Sequence, residues 1–295
     1  MQQRDVTLIK KRTRFEGSNI CSWIGFKHVM YLVEEGILEH FRESGYAPRE
    51  MFEENGLCLE IVESSARILH ALHMDDLVRV EVKPNLRSKD KSCLNYKVRV
   101  FVDRDEKELK AVIANVKVLF QQDSYEGDEA SAVKDLAPYV VSEVNRSKDV
   151  ELVKVPSADR AQTGMDSLIS QVVPEGSNAF VWKWHIPYFY CHFTNRMQHS
   201  GYLRLMEEVV DLFLADRGIS IWKMLDTKRW IPVVPSANVE ILREARMEET
   251  IYTVYTVEDI FKDTTYTSRM DCYVERDGKL VHTATGKITH GYAVI

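Results

Sequence analysis

His192, Asn195, Arg196, His199, Gly201, Tyr202 and Glu207 fall within one short stretch of the chain. Their types suit proton transfer to and from water, and the stabilisation of a developing oxyanion. Histidine titrates near neutrality, so His192 or His199 can act as a base at physiological pH. If a helix starts near His199, its first amides lack intrahelical acceptors and carry the positive end of the helix dipole. Such amides, around His199 to Gly201 and with help from Asn195, polarise a carbonyl oxygen. Gly201 allows a ligand to approach the backbone closely. Tyr202, three residues after His199, shares its helical face. Glu207 is eight residues beyond His199, about 12 Å of helical rise. That is too far for direct contact, so Glu207 is expected to reach the site assembled with a second copy of the unit, or to orient a residue there. Each residue also has a structural alternative: a packing histidine, a turn asparagine, a core tyrosine, a solvated carboxylate.

The elements that would position these residues are legible. A helix is expected over Ser200–Arg217, with a stripe of Tyr202, Leu205, Met206, Val209, Val210, Leu212, Phe213 and Leu214 too wide for a solvent-facing helix. A second helix is expected over Gly25–Ser44. Gly45 and Gly218 are natural stops. Strand-like alternation follows each helix, over about 58–70, 76–86, 92–103 and 109–121, and again over 232–245, 249–262, 266–275 and 279–291. The turn Arg276-Asp277-Gly278-Lys279 is a hairpin signal. The aromatic run Trp182–Tyr190 suits either a strand packed on the helix or the wall of an apolar tunnel.

The chain matches itself. His28-Val29-Met30-Tyr31-Leu32 resembles His199-Ser200-Gly201-Tyr202-Leu203, each followed by an acidic pair, Glu34-Glu35 and Glu207-Glu208. ILHALHMDD (Ile68–Asp76) resembles ILREARMEE (Ile241–Glu249), and VDRDEKEL resembles VERDGKL. The order is the same and the offset nearly constant, which predicts one unit present twice. The expected fold class is α+β: two tandem units, each a long helix wrapped by a curved antiparallel sheet, forming an intrachain pseudo-dimer. The expected division is 1–122, a linker over 123–178, and 179–295. The linker is acidic and broken by glycine and proline; within it, VKDLAPYVVSEV suits a strand or helix packed on the outside.

Composition narrows the function. Apolar residues make up 45% and charged residues 28%, enough for real cores. A net charge of −6 argues against general nucleic-acid binding. Five cysteines without a C-x-x-C pair argue against zinc or redox motifs, and suit reduced thiols in a cytoplasmic protein. Neither a secretion signal nor a membrane span is expected. No P-loop, dinucleotide fingerprint, H-E-x-x-H or G-x-S-x-G occurs.

The stretch HFTNRMQHSGYLRLMEEVVDLFL, His192 through Leu214, resembles the opening of the hotdog-fold acyl thioesterases of the 4-hydroxybenzoyl-CoA type. In that frame the family's catalytic Asp falls on His192 and its Gly on Asn195. The Tyr-His variant falls on Gln198-His199, the helix-start Tyr on Tyr202, and the helical acid on Glu207. The first copy fits the frame through Cys21, His28 and Tyr31. The resemblance implies two hotdog domains with hydrolysis of an acyl thioester at their interface, on acyl-CoA or an acyl-carrier protein. Arg196, Lys183, Lys228 and Arg229 are candidate contacts for the phosphates of such a substrate. No cofactor or metal is implied, and the assembly would be a monomeric pseudo-dimer or a homodimer. The family Asp is absent from both copies. That leaves open a dehydratase or an acyltransferase with decarboxylation, in polyketide or fatty-acid metabolism, and a non-catalytic acyl-thioester binding protein.

Overall fold

The computed structural model describes residues 5–123, 133–146, 169, 171–173, 176–191, 194–262 and 264–295. The elements come in two similar series. The first is β1 (Thr7–Arg12), α1 (Phe26–Glu43), α2 (Pro48–Asn55), β2 (Leu57–Ile68), β3 (Leu77–Pro84), β4 (Leu94–Arg104) and β5 (Lys107–Gln122). A short strand β6 (Val140–Val141) follows. The second series is β7 (Phe180–His185), α3 (His199–Asp216), α4 (Ile221–Lys228), β8 (Trp230–Ile241), β9 (Thr250–Phe261), β10 (Thr265–Arg276) and β11 (Lys279–Val294). Strand order is β1-β3-β4-β5-β2 in the first series and β7-β9-β10-β11-β8 in the second. Packing divides the chain into Met1–Glu143 with Arg229–Asn238 and His290–Ile295, and Val144–Lys228 with Val239–Thr289.

Each long helix buries one face on its sheet. In α1, Val29, Val33, Ile37 and Phe41 are almost fully buried, and Phe41 meets the rings of Tyr96 and Phe120 edge-on at 5.7 and 5.5 Å. In α3, Tyr202, Leu205, Met206 and Val209 are fully buried, and the Phe213 ring lies 5.1 Å from that of Tyr255 on β9. Gly45 (φ 81°) and Gly218 (φ 71°) follow the C-caps Ser44 and Arg217, as expected. Sequence periodicity missed α2 and α4. At eight residues they are too short to show a stripe, although α2 carries a starting signal in Pro48 and a stop in left-handed Gly56.

The internal repeat holds hydrogen bond by hydrogen bond, in a different register from the one that the H-x-x-Y-L match suggests. Ile24 N–H donates to the Leu72 carbonyl at 2.8 Å, and Met197 to Ala245 at 2.7 Å. Met74 donates to Ser22 as Met247 does to Asn195, both at 2.8 Å. Gly25 donates to Gly17 at 2.9 Å, as Gln198 does to Tyr190 at 3.1 Å. The helices, equal in length, begin at Phe26 and His199. His199 therefore corresponds to Phe26, and His28 to Gly201. The histidine match is a two-residue slip, whereas the acidic pairs do correspond.

The connector has more structure than its composition suggested. Leu136 is fully buried, a single helical turn spans Ala137–Tyr139, and β6 runs parallel to β5. Ile169, with Val172, Val173 and Ala179, packs on Tyr252, Val254, Tyr273 and Leu280. These side chains occupy the side of β9 and β10 opposite the helix, because strand residues alternate between faces.

Candidate active site

His199 is the first residue of α3 and only 4% exposed. The loop before it is held from three sides. Cys191 and Met197 form a bridge, Arg196 bridges to Arg246, and the Asn195 carbonyl accepts from Met247 N–H at 2.8 Å. This ties the loop to the turn between β8 and β9. Gln198 is extended (φ −84°, ψ 163°) and places no capping side chain on the helix.

That turn is itself braced by charge. Glu249 accepts from Arg276 at 2.7 and 2.9 Å and from the Arg246 amide at 2.7 Å. Burial pushes the Glu249 carboxyl up, but Arg276 and that amide outweigh it and hold it below the ordinary carboxylate value. The Arg276 guanidinium also donates to the Glu244 carbonyl at 2.8 Å. The first repeat uses the same device. Arg104 pairs with Asp76, and the His73 amide donates to the Asp76 carboxylate at 2.7 Å.

The candidates separate into groups. Asn195, Arg196, His199 and Gly201 gather where the loop enters α3. Arg196 is 8% exposed, and its amide donates to Thr194 Oγ1 at 3.2 Å. Glu207 is half-buried, two turns along the helix. Tyr202 points into the core, fully buried, and burial pushes its hydroxyl far above the ordinary phenol value. It is a packing residue of the sheet-facing side of α3. His192 lies outside the described residues. Lys183 lies over the Tyr252 ring at 5.4 Å, on the face of β7 away from α3; Lys228 ends α4, and Arg229 follows it with φ 56°. Burial pushes the Cys191 thiol up to about 11, which favours the neutral thiol over the thiolate.

The first repeat offers no titratable group where His199 stands, because Phe26 begins α1. His28 packs on Gly17 and meets the Tyr31 ring edge-on at 5.2 Å. Cys21 is exposed in a left-handed conformation (φ 66°).

Sequence reasoning placed Tyr190 only at the end of the aromatic run Trp182–Tyr190 and missed its contact with Gly201. A Cβ on Gly201 would lie 3.1 Å from the Tyr190 ring and carbonyl and 3.2 Å from Met197 Cγ. Gly201 thus admits its own chain's tyrosine on that side. In the first repeat the sizes are exchanged: Gly17 stands where Tyr190 does, and His28 where Gly201 does. A Cβ on Gly17 would come within 2.6 Å of His28 Cγ. Each repeat fills the same space once, from opposite elements. Only an alignment in the structural register exposes this exchange.

Tyr190 also closes an aromatic row along the helix-facing side of β7. Trp182 and Trp184 stack at 5.5 Å and 16°, Trp184 meets Tyr190 at 5.0 Å, and Phe180 meets Phe213 at 6.3 Å. Of the counterparts on β1, Thr7 and Lys11 are polar and Ile9, in the place of Trp182, is a small aliphatic residue. Thr7 reaches His40 and Glu43 at 3.1 and 2.9 Å, and Lys11 pairs with Glu35 at 2.7 Å. The gap between edge strand and helix is closed by hydrogen bonds and an ion pair in one repeat and lined by indoles in the other.

Residues 186–293 match the model of the thioesterase-like superfamily. No curated protein matches the sequence. Among solved structures, the chain is similar to the 12:0-ACP thioesterase from Umbellularia californica (TM-score 0.63, 12% identity, 98% of this chain and 94% of that one). It is also similar to an acyl-ACP thioesterase from Bacteroides thetaiotaomicron (0.58, 9%, 97% and 98%) and to the tesB protein of Mycobacterium avium subsp. paratuberculosis (0.51, 12%, 97% and 93%). These likenesses run through both repeats, so the fold is a double hotdog. No described helix is long and apolar enough to cross a membrane, and no metal-binding group of side chains occurs among the described residues.

Proposed function

We propose that the second repeat, whose residues 186–293 match the thioesterase-like superfamily model, hydrolyses an acyl thioester at the start of α3. The observation that carries this is the extent of that superfamily match, which includes the loop, all of α3 and the braced turn. In this reading the thioester carbonyl lies against the first amides of α3, whose dipole favours the growing negative charge. His199 or His192 takes a proton from water, and the water oxygen bonds to the carbonyl carbon. The tetrahedral intermediate then expels the thiol, breaking the C–S bond, and the proton returns to sulfur. Asn195 supports the oxyanion, Arg196 faces a phosphate of coenzyme A or of a carrier arm, and Glu207 is the acidic residue of the site. Gly201 keeps the backbone open to the ligand on the side that Tyr190 leaves. The indole row of β7 suits an apolar or aromatic acyl group. In this reading the repeats run along the chain as 1–122 and 179–295, joined by 123–178, while by packing Arg229–Asn238 and His290–Ile295 group with the first.

The test is release of free thiol from a panel of acyl-CoA and acyl-carrier thioesters, spanning chain length, aryl and β-keto groups. His199→Ala is expected to lower kcat by roughly 10²–10⁴-fold, with smaller losses for Asn195→Ala and Glu207→Gln. Silence across the panel defeats the proposal. Loss of water or carbon dioxide from the acyl group, or its transfer to a second thiol, assigns a dehydratase, decarboxylase or acyltransferase instead. Tight thioester binding without turnover assigns a binding protein. The second of these readings has one feature in its favour: residues 194–198 contain no carboxylate.

A further inference from the structure

The turn between β3 and β4 is built to present charge outward. Leu86 at its tip is 79% exposed, and Arg87, Lys89 and Lys91 are exposed around it. The acidic residue of the turn, Asp90, is directed inward. Its carboxylate accepts from the Ser92 hydroxyl and amide at 2.6 and 3.1 Å and from Lys117 at 3.0 Å. Asn95 cross-braces the turn, donating to the Asp90 and Cys93 carbonyls at 2.8 and 2.7 Å and accepting from the Ser88 hydroxyl at 3.0 Å. Lys91 Nζ donates to the Leu86 carbonyl at 3.0 Å. A rigid knuckle results, with one apolar tip, three cations and its only carboxylate compensated, on a chain whose net charge is −6. The corresponding turn of the second repeat, between β9 and β10, also exposes apolar side chains. Ile260 is 61% and Phe261 60% exposed, with Lys262 Nζ 5.1 Å from the Phe261 ring.

We infer that the β3–β4 turn is a lipid-surface contact, in which Leu86 enters the headgroup layer of an anionic bilayer and Arg87, Lys89 and Lys91 meet its phosphates. A single leucine on a hairpin tip cannot supply the roughly 800 Å² per partner of a stable protein interface. A soft headgroup layer accepts such a tip, and each cation near an anionic surface contributes about a fivefold gain in partitioning. Repulsion from the chain's acidic remainder is screened beyond about 10 Å at 0.1 M salt, so attraction by the turn prevails at contact. The inference is independent of the proposed hydrolysis.

The experiment is co-sedimentation of the full chain with vesicles of phosphatidylcholine alone and with 30 mol-percent (about one lipid in three) phosphatidylserine. Binding is expected only to the anionic vesicles, weakening as salt rises. The triple variant Arg87→Ser, Lys89→Ser, Lys91→Ser is expected to reduce it on the order of a hundredfold. Leu86→Trp, whose emission reports insertion directly, is expected to shift to shorter wavelength on anionic vesicles. Circular dichroism confirms that the variants fold. No binding at low salt, equal binding by the triple variant, or an unshifted Trp spectrum overturns the inference. Leu86-dependent retention on an immobilised acidic protein without vesicle binding also overturns it and assigns the turn to a protein partner.

Discussion

At the scale of the residue, the exchange between Gly17/His28 and Tyr190/Gly201 makes a sharp prediction. Gly201→His places a ring where Tyr190 already stands, and overpacking of this kind costs about 1–3 kcal/mol. Tyr190→Gly alone empties that space and costs roughly 3–5 kcal/mol. Combined, the two changes reproduce the arrangement of the first repeat. The double variant is therefore expected to be more stable than the sum of the single losses, by about 0.5–3 kcal/mol in urea denaturation. Strict additivity would show that the two positions do not share one space. Neither residue type announces this pairing, because a glycine inside a helix and a tyrosine in a loop are each unremarkable alone. The paired position 173 residues away in the other repeat is what gives them meaning.

At the scale of the element, the brace between Glu249 and Arg276 decides where the α3 entry loop sits. The side chains are 22% and 25% exposed, so solvent screens the pair in part. Glu249→Gln removes the charge but keeps the shape, and is expected to cost about 1–2 kcal/mol after that discount. A carboxyl held below its unfolded value stabilises the fold above that value, and the contribution is lost as pH falls through the folded one. The loss from Glu249 should therefore appear below the ordinary glutamate value of 4.5. A pH series of urea midpoints, wild type against Glu249→Gln, checks this: the two curves should converge in acid. Curves that stay parallel to pH 3 (about one and a half units below the ordinary value) would remove the carboxylate from the account. If the proposed hydrolysis is correct, Glu249→Gln also lowers turnover, because the loop bearing Asn195 and Arg196 loses its anchor.

At the scale of the whole molecule, His290 on β11 titrates in a separate window. It is 3% exposed, and burial lowers its value from 6.5 to about 4. The unfolded chain binds this proton below 6.5, whereas the folded chain does so only near 4. Stability is therefore full above the unfolded value and falls as pH drops between the two, by about 3 kcal/mol at most. His290→Gln is expected to flatten the decline between pH 6.5 and 4 while leaving the later loss from Glu249 in place. Equal slopes for wild type and variant would sink the assignment. Acid destabilisation should thus come in two stages, histidine first and carboxylates after.

Much of this architecture follows from local pattern. A wide apolar stripe over Tyr202–Leu214 demands an enclosed helix, alternation over 249–262 demands a strand, and Asp277-Gly278 demands a tight turn. Recurrence of the sequence set the repeat and the α+β class. The match of Ile68–Asp76 to Ile241–Glu249, 173 residues apart, carries the register of the hydrogen bonds, but H-x-x-Y-L recurs two residues out of step with it, and pattern alone could not choose between them. Nor could it separate Tyr202, which packs, from His199, which begins the helix: a stripe specifies a face, and only the sheet beneath decides how deep each member lies. The inward turn of Asp90, the indole row of β7 and the seat of Tyr190 likewise depend on partners remote in the chain. Short-range chemistry chose the elements, and long-range packing chose which of their residues meet.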